Sequence, residues 1–384
     1  MHEAPPPVVV AWAGEPDTEA ALRTVADRLG SPPFSLILFF AGVNHDTATL
    51  ARGLQARFPG VPLVGCTSAG EYAGTTHSVG TITAMGLRPP VRAAAELVSL
   101  EAFTFESGGP LLERLAAALG TTRDALQPGR HAILTLSDGL SGLGELLGAS
   151  IGAHAVGIPL VGGCAADDLS FQRTQVVVGD RAHPRGGVVV LLEPNIPFVP
   201  FAFHHFHPTD RRVVVTRAEP RRRLVHEIDG WPADLALARL LDVHVDALRA
   251  DPGGVLSRTP AIFGICQGGV WYVRSVMSLE GESLLMGGSV EEGTVFRWMR
   301  PGDLVSETAM ALDGLPERLR GPPAATLMFH CLGRMRTARY HGTREALAQV
   351  MGRWPVTGFD TFGEHLGPFL VNETLTGLAL GTPS

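Results

Sequence analysis

The chain has no lysine. All 31 basic residues among its 384 are arginine. That absence removes the Schiff-base nucleophile and the P-loop lysine of nucleotide-binding proteins. It leaves planar guanidinium groups, suited to gripping carboxylates through two parallel hydrogen bonds. Cysteine is scarce: Cys66, Cys164, Cys266 and Cys331 are far apart and form no Cys-x-x-Cys pair, so no structural zinc site is expected. No metal and no cofactor are expected. No Gly-x-Ser-x-Gly elbow occurs, and Ser137-Asp138-Gly139 does not supply one. No apolar run reaches the roughly 20 residues that span a bilayer, and the start, MHEAPPPVVV, lacks a basic region before a long apolar stretch. A formal charge of −7 argues against a nucleic-acid partner held through phosphates. A reducing cytoplasm, four free thiols and no membrane are the expectation.

What is present is self-similarity, at ten-residue motifs and in the segments around them. Residues 62–71 read PLVGCTSAGE, 159–168 read PLVGGCAADD and 355–364 read PVTGFDTFGE. Each has proline, glycine three positions on, and a carboxylate at the tenth position: Glu71, Asp168 and Glu364. Apolar runs precede the motifs at 34–40, 131–136 and 325–330 and follow them at 79–87, 186–192 and 374–380. Helical patterns at 46–58, 143–156 and 343–354 fill the intervals. A strand–helix–strand–turn–strand unit is therefore written three times. The fold class is α/β, two domains built from such units with mixed sheets.

Ahead of the first unit, residues 9–12 read as an edge strand and 17–29 as a helix capped by Asp17 or Thr18. A strand at 91–98 and a helix at 110–118 lead into the second unit. Residues 193–210, with four prolines and His204, His205 and His207, read as a linker. Beyond it come a strand at 224–228, a turn at Asp229-Gly230, a helix from Pro232 to about Leu248, and short strands at 260–266, 270–279 and 283–287. The division is a lead over 1–30, a first domain over 31–212 and a second over 213–384.

Site candidates lie at strand ends, where helix N-termini and free backbone N–H groups favour ligands. The three acids have two readings, turn supports or ligand groups. Ser137 and Asp138 close the second unit's first strand; Asp138 is a helix cap or a binding group. Cys331 and Arg334 close the third, in Cys-Leu-Gly-Arg. An arginine behind an apolar strand needs a partner, either Glu364 or a bound carboxylate. Cys66 is read as a buried, inert thiol. The histidine cluster reads as surface or interface, and the arginines at 211, 212 and 221–223 as a solvated stretch.

Together GCTSAGE at 65–71, PLVGGCAADD, Cys-x-Gly-Arg at 331–334, GFDTFGE at 358–364 and Asn-x-Thr at 372–374 resemble the FIST family of intracellular signal-transduction proteins. The resemblance runs from about residue 30 to 380 and implies FIST N-like and C-like domains, no enzyme activity, and a cytoplasmic sensory module binding a small ligand such as an amino acid. It implies a stand-alone sensor that passes its signal to a downstream protein. Asp167-Asp168 departs from the Gly-Glu of the other copies. The ligand set expected is Glu71, Ser137, Asp138, Asp168, Cys331, Arg334, Glu364 and Asn372. In it Arg334 takes the ligand carboxylate, and Glu364, supported by Glu71 or Asp168, its ammonium. The alternatives are a hydrolase using Cys66, Cys331 or a carboxylate, and a ligand-free scaffold docking a partner through its arginine-rich stretch.

Overall fold

The computed structural model describes residues 5–383; the first four residues of the proline-rich lead and Ser384 lie outside it. The first unit comprises β1 (Val8–Ala13), α1 (Thr18–Leu29), β2 (Leu36–Gly42), α2 (Thr47–Arg57), β3 (Leu63–Ser68), β4 (Glu71–Ala73), β5 (Thr76–Ser78) and β6 (Ile82–Leu87). The second repeats it with β7 (Arg92–Ser99), α3 (Gly108–Ala118), β8 (Ala132–Ser137), α4 (Gly144–His154), β9 (Leu160–Cys164), β10 (Val176–Val178), β11 (Arg181–His183) and β12 (Gly186–Glu193). The third begins with β13 (Phe198–Phe203) and is interrupted. The interruption contains β14 (Phe206–Glu219), β15 (Leu224–Ile228), β16 (Trp231–Pro232), α5 (Ala233–Leu241), α6 (Val245–Ala250), α7 (Pro252–Arg258), β17 (Ile262–Gln267), β18 (Val270–Glu280), β19 (Ser283–Met286) and β20 (Val295–Pro301). The unit resumes with α8 (Leu304–Asp313), α9 (Leu315–Leu319), β21 (Ala325–Cys331), α10 (Leu332–Tyr340), α11 (Arg344–Met351), β22 (Val356–Thr361), β23 (Glu364–Leu366), β24 (Phe369–Val371) and β25 (Leu375–Leu380).

The helix starts follow the sequence. Asp17 accepts from the Ala20 N–H at 2.8 Å, so Asp17 rather than Thr18 caps α1. Asp46 and Asp303 cap α2 and α8 in the same way. The expected helix from Pro232 to Leu248 is two helices instead. Asp242 is left-handed at φ 57° and ends α5 before α6 begins. The expected linker at 193–210 contains strand: β13 is an edge strand, which is where a sheet tolerates Pro200.

Three six-stranded sheets have one plan. Their orders are β1-β6-β2-β3-β10-β11, β7-β12-β8-β9-β23-β24 and β13-β25-β21-β22-β4-β5. In each, the two strands flanking a crossover helix are parallel and the rest antiparallel. The sheets are therefore mixed, as expected. The last two strands of each sheet come from another unit. The β4–β5 hairpin of the first unit pairs with β22, the β10–β11 hairpin of the second with β3, and the β23–β24 hairpin of the third with β9. The exchange is cyclic and ties all three units into one body.

Inward faces of the three sheets share one core, with Phe40, Phe329 and Phe359 from two units at its centre. The Phe40 and Phe359 rings lie 4.4 Å apart and Phe329 meets Phe359 edge-on at 5.8 Å. Helices cover the outer faces through separate clusters. The interrupting segment has its own seven-stranded sheet and its own core. Thus residues 304–383 share sheets with the first two units, whereas residues 206–301 form a sheet of their own. The chain crosses between the bodies twice, between β13 and β14 and between β20 and α8. The Gly302 N–H donates to the His205 carbonyl at 2.6 Å and joins the two crossings.

Candidate functional site

The exchanged hairpins explain two of the three motif acids. Glu71 sits where β4 meets β22, and Glu364 where β23 meets β9. Both are fully buried. The Ser68 hydroxyl donates to Glu71 Oε1, and the Thr81 N–H and hydroxyl donate to Oε2, each at 2.9 Å. The Thr361 hydroxyl and the Thr374 N–H at 3.3 Å do the same for Glu364. These two carboxyls latch the turn to the strand that returns ten residues later. Burial pushes Glu71 up to about 7 against these hydrogen bonds. Burial also holds Glu364 well above the usual carboxylate range, opposed by Thr361 and reinforced by Glu373.

The third acid is a correction. Asp168 is exposed and takes no part in a latch. Val176 pairs with Cys66 as Glu71 pairs with Phe359 and Glu364 with Gly163. Val176 thus occupies the acid's place, because the second unit has a longer loop between motif and hairpin. Asp167 organises that loop, accepting the N–H groups of Phe171, Gln172 and Arg173 at 3.0, 2.8 and 3.2 Å.

Ser137 and Asp138 are also sequestered. The buried Ser137 hydroxyl donates to Cys164 Sγ at 3.3 Å. Asp138 accepts the Leu140 N–H at 3.1 Å and the Thr174 hydroxyl, which makes a local turn; it caps no helix, since α4 starts after Leu143 with no side-chain cap. Arg334 points into the protein, wholly buried. It donates to His205 Nδ1 at 3.2 Å and to the Thr308 hydroxyl at 2.8 Å, lies over the Phe203 ring, and has no partner for its Nε–H. Its hydrogen bonds therefore go to neither Glu364 nor a ligand-facing surface. His205 belongs to the first crossing and Thr308 to the helix after the second, so Arg334 grips both. His204 bonds the Trp271 carbonyl at 3.0 Å and His207 meets Glu307 at 2.7 Å, so the cluster is an interface.

Only Cys331 and Asn372 of the eight candidates line a common cavity. It has a volume of about 320 Å³ and lies between the inserted body and the three-sheet body, within the range of small-ligand pockets. α7, β17 and β18 contribute Ser257, Ile262, Ser275 and Met277; the opposite wall has Cys331, Arg336, Tyr340, Asn372 and Glu373. The lengthened loop of the second unit adds Leu169 and Phe171, and Phe171 stacks on Phe362 at 5.0 Å. Glu364 lies just behind, through Thr361, which lines the cavity.

Glu373 escaped the sequence reading, although it is the middle residue of the Asn-x-Thr motif. Its carboxylate lies over Gly333 at the start of α10, so closely that a Cβ there would come within 1.8 Å of Oε1. Its backbone is left-handed at φ 50°. Glu373 Oε2 and Asn372 Oδ1 are buried with no hydrogen-bond partner. Burial pushes Glu373 up to about 7, with Arg334 and Arg336 opposing. Burial, Glu364 and Glu373 push the Cys331 thiol well up, and burial lifts Cys164 to about 12 and Cys66 far above its ordinary value. A second, buried cluster lies away from the cavity, within the sheet where the exchanged β4–β5 hairpin of the first unit meets β21 and β22 of the third. Asp360 takes His77 at 2.7 Å, His330 at 2.9 Å and Tyr72 at 3.1 Å. Burial works against ionisation of Asp360, but the two histidines outweigh it and hold the carboxyl below its usual range.

Among the described residues, no helix is long and apolar enough to cross a membrane. The chain matches the model of the FIST N domain over residues 35–231 and that of the FIST C domain over 236–366. No curated protein matches it. Among solved structures it is similar to a chorismatase, at 12% identity and a TM-score of 0.35 over 97% of this chain and 98% of that one.

Proposed function

Because this chain belongs to the FIST family, whose domains are associated with sensory signal transduction, we propose that it is a cytoplasmic sensor binding a small molecule, an amino acid or a relative, in the cleft between its two bodies. The observation that carries this reading is the pair of unpartnered, buried acceptors, Asn372 Oδ1 and Glu373 Oε2, on residues lining a 320 Å³ cavity. Buried polar atoms are normally hydrogen-bonded, so a cavity that leaves two unsatisfied is built to be filled. The signal is closure of the inserted body on the ligand. Two chain crossings, gripped together by Arg334, form the hinge, and a ligand touching both walls favours the closed state. The chemistry favours binding over thiol catalysis. Three of the four cysteines are buried, and the raised values of Cys66, Cys164 and Cys331 keep them protonated at neutral pH, where a nucleophile must be a thiolate.

A thermal-shift screen of amino acids, amines and small organic acids tests this. A ligand at 100 times its Kd stabilises by about 2.7 kcal/mol. A dye on the exposed Cys266, in β17 of the inserted body, reports closure with the same ligand. Filling the cleft with Thr337→Trp should abolish the hit. Silence across the whole panel, or a hit that survives that substitution, rejects the cleft as the sensory site.

A further inference from the structure

The floor and the rim of the cleft differ in charge. On the floor, Glu373 and Asn372 present acceptors, Glu364 lies behind them, and no hydrogen bond reaches Glu373 Oε2 from any described group. Arg334 lies near Glu373, but its two Nη groups donate to His205 and Thr308, and its Nε–H is buried without a partner. At the rim, Arg336 and Arg339 are exposed, and Arg336 reaches Ser257 across the cleft at 3.0 Å. The walls between are apolar and aromatic: Leu169, Phe171, Leu256, Met277 and Phe362. Among the described residues, three of the nine non-glycine positions with positive φ, Leu169, Phe171 and Glu373, line this one cavity. Such conformations carry a cost and concentrate at ligand clamps.

We propose that the recognised end of the ligand is a protonated amine, seated on the Glu373 carboxylate and the Asn372 side-chain oxygen, with an apolar body against the aromatic walls and any anionic group left at the arginine rim. This rests on the cleft being the ligand site, and it goes further by making the amine essential and the carboxylate dispensable. An anionic head is disfavoured on the floor because it would face Glu373 and Glu364, while Arg334, the nearby cation, is wholly buried and turned toward His205 and Thr308. A neutral head would leave the buried carboxylate uncompensated. An ammonium supplies three donors and the missing charge. The groups facing Glu373 are Arg334 behind it, Arg336 on α10, and Cys331 and Glu364 beneath. Of these, only the two arginines are cationic, and they leave Glu373 raised to about 7. Seating an ammonium there displaces the proton, so affinity rises with pH until Glu373 is ionised.

The test uses the full chain and three matched probe series: butylamine and 2-phenylethylamine; valerate and 3-phenylpropionate; norvaline and phenylalanine. Thermal shift and calorimetry should show binding by the first and third series and none by the second. Glu373→Gln should weaken it about tenfold or more, the size of one charge-assisted hydrogen bond. Gly333→Ala is a second variant that leaves the acid in place. Its Cβ displaces the Glu373 carboxylate while alanine suits a helix better than glycine, so loss of binding in a folded protein is expected. Binding by the carboxylates alone, or amine binding untouched by both variants, overturns the amine proposal and leaves the cleft standing. Silence from all three series overturns both.

Discussion

Replacing Glu71 with glutamine separates a latch from a ligand group. The carboxyl is raised to about 7 in the folded protein from an ordinary 4.5. A raised carboxyl binds its proton more tightly folded than unfolded. Its contribution is therefore fully present below about pH 4.5 and is lost as pH rises through about 7. The difference corresponds to about 3 kcal/mol at 1.36 kcal/mol per unit. Glutamine keeps the shape and stays neutral. At low pH Glu71→Gln should cost about 1 kcal/mol, because one of the donors now faces an amide NH2. Near pH 8 the order should invert, with the variant more stable by about 2 kcal/mol. Comparing variant and wild type at each pH cancels the titration of the other buried groups. Native-state hydrogen exchange at the β4 and β22 amides reads the opening of this exchanged hairpin directly, without requiring the chain to unfold in one step. A stability difference that stays constant from pH 4.5 to pH 8 would refute the claim that the Glu71 carboxylate is held against its desolvation cost.

Other substitutions probe the rest of the site. Arg334→Met removes a buried cation whose hydrogen bonds go to a histidine and a hydroxyl. The desolvation relieved offsets the bonds lost, so chemical denaturation should show less than the 3–5 kcal/mol of a broken buried ion pair; a loss of that full size would mean that a carboxylate does pair with it. Closure reported from Cys266 should nevertheless become looser in this variant, since one guanidinium holds both crossings. Alkylation near pH 8 should label Cys266 quickly and Cys66, Cys164 and Cys331 only on unfolding; rapid labelling of Cys331 would revive the thiol-chemistry alternative.

The threefold repeat, the mixed sheets and the strand–helix order were legible because they are local. Apolar runs, cap residues and turn glycines act within one or two dozen residues of chain. The motif prolines and glycines marked the strand ends correctly, and Cys331 and Asn372 do line the cleft. What the chain could not reveal by itself is where each hairpin docks. A strand's free edge is satisfied equally well by its own unit or a neighbouring one, and only packing of three sheets around a common core decides for the neighbour. That choice buried Glu71 and Glu364 at the exchange points. Eight extra residues in the second loop put Val176 where counting placed Asp168. Arg334 follows a strand end as expected, but α10 turns it toward the two chain crossings and its protein partners His205 and Thr308. Glu373 lay unremarked inside a recognised motif because its importance comes from an interruption of about a hundred residues folding back over it. The local code determined the elements, whereas burial against distant segments determined which polar groups were left without partners, and it is on those that the proposed site rests.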